Sequence, residues 1–456
     1  MKSREAAEGM NPIAAVICNY NKSKYVTECI QSVLESTFSN FDLIVVDNAS
    51  TDDSVKCIRE RYEGKLTLLE NAENLGGSGG FNTGIGYAME RGYEYIWCLD
   101  NDVLVDENAL GALYDFLEKN PQAGMAGSKV YHMEEPDYVQ QFGIDVDFEH
   151  FCCEAKYYNR LEDGSMPEVV YSDAVAACSV LVRTSLIRQI GMLPEENFLY
   201  WDDTEWGYRC NLAGCLVASV GASKVLHSMG AKKESVNTFP TYYAWRNWIR
   251  FFMKYTDEEK WEAMCESFLE GIFEIVYDGF YKGEENRTKT VMAAYDDALH
   301  GIVGKAGEER IFPLDKKDEK LRAILDKAAW AEIRTAEEGM DTGGLEERIL
   351  ALFPEMEIRK AGAERNRGKE ETETGGGLGK RENGAEETGR RFILCRDIFM
   401  QGDYSEGDIF VDMEGRIMEN EEDFFKVFNK GYSYQTFLFM QKPLFMERVR
   451  AMRKDL

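Results

Sequence analysis

The chain has 456 residues, 53 Lys+Arg and 82 Asp+Glu, so its formal charge is −29. At roughly 150 residues per domain this length allows two or three domains with ample core. No basic face is evident, and a duplex nucleic-acid binder, which neutralises phosphates with Lys and Arg, is excluded. The eleven cysteines include no C-x-x-C pair, and Cys152 and Cys153 are adjacent, so a structural zinc site and a secreted disulfide framework are both excluded in favour of reduced thiols in a cytosolic protein. The first 12 residues lack an apolar signal core, and no apolar run approaches the ~20 residues that cross a bilayer.

In chain order, Ala14 to Asn19 reads as a short buried strand, and Lys22 to Glu35 carries helical apolar spacing. Asp42 to Asp47 is a second strand, followed by Ser50 and Thr51 as helix-capping residues. Lys65 to Glu70 is a third strand. A glycine-rich loop, Asn74 to Gly86, then leads into a helix ending near Gly92. Tyr93 to Leu99 is a fourth strand, Asn108 to Glu118 a helix, and Gly124 to Tyr131 a further strand. Strands resume at Val175 to Val182 and Leu216 to Val220, on either side of a loop and helix from Trp201 to Gly214. From Thr241 the chain turns aromatic and basic, then acidic and helical to about residue 354. Residues 361 to 391 hold eight glycines and fourteen charged residues, a composition that cannot offset its ordering entropy and reads as a flexible linker. Aromatics return after residue 392.

Alternating strands and helices imply a mostly parallel sheet with ligands beyond its strand carboxyl ends. Asn19, Asp47, Glu70, Asp100 and Asp102 fall at those ends. Two carboxylates in Asp100-Asn101-Asp102 suit Mg²⁺ or Mn²⁺, which keeps positions for water and phosphate. Asp202, Asp203 and Glu205 form a second acidic cluster, which helix N-capping would also explain, and Glu205 and Arg209 are spaced to pair on one helix face. His227 follows an apolar run, the setting of a packed histidine or of the imidazole completing a Mn²⁺ site; His132, His150 and His300 have no comparable setting. The glycine loop is neither a Walker loop nor a dinucleotide fingerprint. Arg246, Arg250 and Lys254 form a basic stripe suited to packing, to phosphate, to an anionic acceptor or to a membrane surface.

Taken together, Cys18-Asn19-Tyr20-Asn21, Val46-Asp47-Asn48-Ala49-Ser50-Thr51-Asp52, Asn74-Leu75-Gly76 with Gly80-Phe81-Asn82-Thr83-Gly84, Asp100-Asn101-Asp102, Trp201-Asp202-Asp203-Thr204-Glu205-Trp206 and Tyr242-Tyr243-x-x-Arg246-Asn247 resemble, in order, the inverting family 2 glycosyltransferases. Galactofuranosyltransferase and rhamnosyltransferase members are the most similar. The resemblance covers about residues 12 to 255 and implies an α/β GT-A fold, with a mostly parallel central sheet and a helical C-terminal region. Together with the composition of the rest, this divides the chain into a catalytic domain (1–255), a helical extension (256–360), the linker (361–391) and a small ordered segment (392–456). The resemblance implies that Asp203 is the catalytic base, with Asp202 beside it positioning the acceptor. Asn19, Asp47, Asn74, Gly76, Gly80 and Asp100 would line the nucleotide pocket. Asp100, Asp102 and His227 would hold Mn²⁺ or Mg²⁺, and Trp201, Trp206 and Arg246 would meet the acceptor. The implied partners are a UDP- or dTDP-sugar donor and a glycan or lipid-linked glycan acceptor, in the cytoplasm at the inner face of the cell membrane. Residues 256–456 would bind that acceptor with a peripheral membrane contact, pair protomers as a homo-oligomer, or brace the catalytic domain. A non-catalytic nucleotide-sugar-binding scaffold and a sugar-1-phosphate nucleotidyltransferase are the alternatives.

Overall fold

The computed structural model describes residues 11–228, 237–360 and 388–455. The start of the chain and residues 361–387 of the expected linker lie outside the described residues. Among the described residues, the first compact unit comprises those within 11–264, 293–311 and 448–455. Its elements run β1 (Ile13–Asn19), α1 (Ser23–Leu34), β2 (Phe41–Asp47), α2 (Ser54–Tyr62), β3 (Thr67–Glu70), α3 (Gly76–Arg91), β4 (Tyr95–Asp100), β5 (Val103–Val105), α4 (Ala109–Lys119) and β6 (Ala123–His132). Short strands follow: β7 (Tyr138–Gln141), β8 (Ile144–Asp147), β9 (Cys152–Ala155), β10 (Arg160–Leu161) and β11 (Val169–Ser172). Then come β12 (Ser179–Arg183), α5 (Thr184–Ile190), α6 (Asp202–Leu212), β13 (Leu216–His227) and α7 (Phe239–Tyr255).

The sheet order β10-β7-β6-β12-β4-β1-β2-β3 contains a parallel half, β3-β2-β1-β4, continued by β12, which runs antiparallel to β4 and β6. β1 is buried from end to end apart from partly buried Cys18, as its run of Ile, Ala and Val predicts for a strand covered on both faces. One face packs on α1 and α4 through Val26, Ile30, Val33, Leu110 and Leu113; the other packs on α3 and α5 through Phe81, Ile85 and Leu186. Because β2 and β4 flank β1, the chain reverses direction across the sheet there. That reversal opens a crevice at the carboxyl ends of β1, β2 and β4, where Asn19, Asp47 and Asp100 stand.

The expected glycine loop is largely helix. α3 begins at Gly76, and its glycines serve close packing: a Cβ at Gly80 would lie 2.4 Å from Cys18 Sγ, and one at Gly84 2.4 Å from Val16 Cγ1. Ser50 caps no helix, since α2 starts four residues later.

Among the described residues, the second unit comprises residues 265–292, 312–360 and 388–447. Helices dominate the chain after α7: α8 (Trp261–Lys282) and α9 (Glu285–His300) precede α10 (Glu319–Leu325). The sequence reading did not anticipate the small sheet that follows. β14 (Trp330–Thr335), α11 (Gly343–Leu352), β15 (Glu357–Lys360), β16 (Gly389–Cys395), β17 (Asp408–Asp412) and β18 (Ile417–Met418) form the order β15-β14-β16-β17-β18, parallel except for the last pair. α12 (Glu421–Phe428) and α13 (Lys430–Asp455) close the chain. β16 begins at Gly389, so the last three residues of the expected linker are strand.

Candidate active site

The end of β1 carries Asn19, fully buried, whose Nδ2 donates to Asp47 Oδ1 at 3.0 Å and to Ser50 Oγ at 3.2 Å. The other Asp47 oxygen accepts from the Ser50 N–H at 2.9 Å. Asn101 donates from Nδ2 to Asn19 Oδ1 at 2.8 Å, which gives a physical reason for an amide rather than an acid at the centre of Asp100-Asn101-Asp102. A carboxylate there would place two acceptors against each other. Asn74 lies one step further out: its Oδ1 accepts from Asn48 Nδ2 and from the Gly76 N–H. Asn48 also donates to the Gly76 carbonyl and accepts from the Leu75 N–H, stitching β2 to the start of α3. Gly76 has φ +78° and no room for a Cβ against Phe198 O, and a Cβ at Gly80 would press on Cys18 Sγ.

β4 ends at Asp100, and β13 runs antiparallel to β5 with His227 opposite Val103. This pairing brings three groups together. His227 Nε2 lies 3.7 Å from Asp100 Oδ2 and 3.4 Å from Asp102 Oδ1, and the three potential ligand atoms all fall within 4.8 Å of one another. Two hard oxygens and one imidazole at these separations fit a single ion about 2 Å from each, of the Mn²⁺ or Mg²⁺ kind. The other Asp102 oxygen pairs with Lys22 Nζ at 2.5 Å. Burial raises the Asp100 carboxyl to about 6, opposed by His227 and reinforced by Asp102 and Asp203. Burial also works against the charge on Asp102, but His227 and Lys22 outweigh it and hold that carboxyl below its ordinary value. The His227 ring is held above its usual range, burial being outweighed by Asp102 and Asp100.

The second acidic pair reaches the same crevice by a short route. The Asp100 N–H donates to Cys178 O at 3.2 Å, and the neighbouring Ala177 N–H donates to Asp203 Oδ2 at 3.4 Å. Asp203 Oδ1 accepts from Thr204 N at 2.7 Å, while Asp202 Oδ2 accepts from Ser78 Oγ at 2.9 Å. Burial raises both carboxyls; Asp202, with the charge of Asp203 beside it, is pushed up to about 7.

The segment leading to this pair is held in an unusual backbone. Phe198, Tyr200 and Trp201 have φ of 63°, 63° and 65°, a conformation costing roughly 1–3 kcal/mol per residue unless its surroundings impose it. The surroundings are Arg246 and Asn247 of α7. Asn247 Nδ2 donates to Asn197 O at 2.9 Å and Leu199 O at 2.8 Å; the Arg246 guanidinium donates to Asn197 O at 2.9 Å and Gly304 O at 2.8 Å. Arg246 is fully buried, so its expected contact with an acceptor is corrected: its charge is spent on backbone carbonyls. Trp206 is corrected likewise, being 1% exposed with its indole N–H on Gly191 O at 3.0 Å. Trp201 is part-exposed and packs on Phe251 and Phe252, beside the acids. Glu205 does not join the acidic cluster or pair with Arg209; it is buried against Lys254 Nζ at 2.5 Å and Tyr255 at 2.9 Å, while Arg209 bonds Met192 O at 2.6 Å. The expected basic stripe is therefore largely internal. The sequence reading assigned no role to Lys22, Asn48, Ser78 or Gln140; Lys22, directly after the β1 terminus, and Asn48, inside the Val46 to Asp52 motif, carried a visible signal.

Residues 14–181 match the family model described as Glycosyl transferase family 2. The chain is 31% identical over 143 residues to glycosyltransferase GlyG of Streptococcus pneumoniae, covering 31% of this chain and 46% of that protein. It is 28% identical over 232 residues to the dTDP-rhamnosyl transferase RfbF of Shigella flexneri, covering 49% and 71%. It thus spans about half the length of the first of these relatives. A crystal structure of GalNAc-T7 with UDP, GalNAc and Mn²⁺ aligns at TM-score 0.46 and 14% identity over 57% of this chain and 51% of that one. The fold is α/β with a mixed, mostly parallel central sheet and helices in the C-terminal region, and the likeness to the Glycosyl transferase family 2 model spans residues 14–181.

Proposed function

We propose that the chain is a metal-dependent inverting glycosyltransferase moving a galactofuranose- or rhamnose-like sugar from a UDP- or dTDP-sugar to an acceptor hydroxyl of a growing cell-surface glycan. The observation that carries this reading is the junction of two acidic groups in one crevice: the Asp100–Asp102–His227 triad, and Asp203 two hydrogen bonds away through Ala177 and Cys178. The likeness to a dTDP-rhamnosyl transferase supports the donor class.

In this reading Asp47, steadied by Asn19 and Ser50, offers a remaining lone pair to the pyrimidine N3–H. Asn19 and Asn74 line the nucleotide side. Asp100, Asp102 and His227 hold a divalent cation, which when bound supplies Lewis-acid neutralisation of the leaving diphosphate. Lys22, already on Asp102, adds a second positive charge beside the diphosphate. Asp203 takes the proton of the acceptor hydroxyl, a role worth ~10²–10⁴-fold in rate. Attack opposite the leaving group inverts the anomeric carbon and needs no covalent intermediate.

The acceptor side is the segment Cys153–Arg160. It lines a cavity of about 690 Å³ with Lys156, Tyr157, Tyr158 and Arg160, and the charge of Asp203 reaches Cys153, reinforcing burial in pushing that thiol up. Trp201 and Asp202 position the acceptor. The proposed setting is the cytoplasmic face of a membrane; among the described residues no helix is long and apolar enough to cross one. A panel of UDP- and dTDP-sugars with Mn²⁺ tests the reading. Asp203→Asn is expected to lose at least 100-fold in transfer or donor hydrolysis while binding nucleotide as the wild type does; unchanged turnover refutes the base assignment.

A further inference from the structure

Gln140 is the residue that best explains how His227 comes to face the acids. The antiparallel pairing of β6 and β7 steps from Val130↔Gln141 to Tyr131↔Val139, so Gln140 is an extra residue, a β-bulge. Bulges beside functional sites re-aim a side chain. β13 runs parallel to β6 with His227 in register with His132, so β6 has β7 on one side and the end of β13 on the other. The buried Gln140 amide reaches His227 with both of its ends. Its Oε1 lies 2.7 Å from His227 Nδ1, and its Nε2 lies 3.4 Å from His227 O and 3.5 Å from His132 Nδ1.

The chemistry of these atoms fixes the protons. A backbone carbonyl only accepts, so the amide must turn its Nε2 toward His227 O, and its Oε1 then faces the ring. An amide oxygen only accepts, so His227 Nδ1 must be the donor. A neutral His227 held this way carries its free lone pair on Nε2, the atom aimed at Asp100 and Asp102. His132 in turn contacts Asn159 Oδ1 at 2.9 Å through Nε2, so the array is anchored beyond Gln140.

We infer that Gln140 is a positioning residue that locks His227 in its Nδ1–H tautomer and orientation, preparing Nε2 to ligate the divalent cation. The inference rests on the cation reading of the triad. Partners of this kind on ligating histidines commonly contribute 10–100-fold in metal affinity.

The test uses the full chain without nucleotide, with Mn²⁺ as the probe and free Mn²⁺ read by electron paramagnetic resonance. Gln140→Leu, which removes the acceptor, is expected to weaken Mn²⁺ binding about 10–100-fold. Gln140→Glu, which restores an acceptor at Nδ1, is expected to stay within about tenfold of wild type, well above the leucine variant. In ¹⁵N-histidine-labelled, metal-free wild type above the histidine titration range, His227 should show a protonated Nδ1 and an unprotonated Nε2. Equal Mn²⁺ affinity in wild type and Gln140→Leu, equal losses in both variants, or a protonated Nε2 with bare Nδ1 overturns the inference alone. Wild type that binds no Mn²⁺ overturns the cation reading and the inference with it.

Discussion

The four aspartates of the crevice have been placed in unlike electrostatic settings, and the differences set their uses. Asp102, with Lys22 and His227 on it, stays ionised and is suited to hold a cation. Asp202 is the opposite case: burial and Asp203 push it up to about 7 from an ordinary value near 3.9. Between these two values the folded chain binds a proton that the unfolded chain has released. Stability is therefore lost as pH rises from about 4 to about 7, and the full cost persists above that. Asp202→Asn retains an acceptor for Ser78 and removes the ionisation. Its melting temperature is expected to exceed that of wild type at pH 8, with the gain shrinking to nothing near pH 4. A gain that does not change with pH would contradict the assignment. This behaviour was invisible in the sequence, where Asp202 and Asp203 are two adjacent and identical acids; only the contacts of Ser78, Thr204 and Ala177 distinguish them.

At the scale of elements, α3 and α7 both do something other than their composition suggests. The strand ends were legible: Asn19, Asp47 and Asp100 stand where the apolar runs stop, because a buried parallel strand can turn polar only where it leaves the sheet. The glycines of α3 were not legible, since a cluster of Gly signals a loop by propensity and only tertiary packing shows the helix. Gly84 approaches Val16 and Val46 too closely for any side chain. Gly84→Val is expected to destabilise the chain by about 1–3 kcal/mol or more through overpacking, seen as a lower melting temperature. A fully tolerated valine would show that α3 can move off β1 without cost. α7 presented a basic stripe in sequence, yet Arg246 and Asn247 bond the carbonyls that hold the left-handed run before Asp202. Such a role depends on the backbone of another segment, which spacing along α7 cannot reveal. His132 is similar: it looked isolated, and β6–β7 pairing places it against Gln140.

On the scale of the whole molecule, the first unit does not end where the aromatic stretch ends. Residues 293–311 return to it: Tyr242 Oη donates to Asp297 at 2.6 Å, Tyr243 Oη accepts from the Ala306 N–H at 2.7 Å, and Arg246 bonds Gly304 O. A chain truncated after Tyr255 therefore leaves Tyr242, Tyr243 and Arg246, all 1% exposed or less, without these partners. Unmet buried groups cost about 1–3 kcal/mol each, so the truncated chain is expected to melt well below the full one or to aggregate. Equal melting temperatures would refute the interleaved unit. The sequence reading placed a boundary at residue 255 because the family resemblance ends there, whereas contact partners are set by how the chain folds back.

The central claim is that the triad at the β4–β5 turn and the end of β13 serves a nucleotide held beside it, with Asp203 facing a different reactant. Titration calorimetry of UDP and of dTDP into the full chain, with Mn²⁺ and with chelator, tests it most directly. The account predicts Mn²⁺-dependent binding of at least one of these nucleotides, lost in Asp102→Asn and retained in Asp203→Asn. Binding that survives both chelation and Asp102→Asn would contradict it.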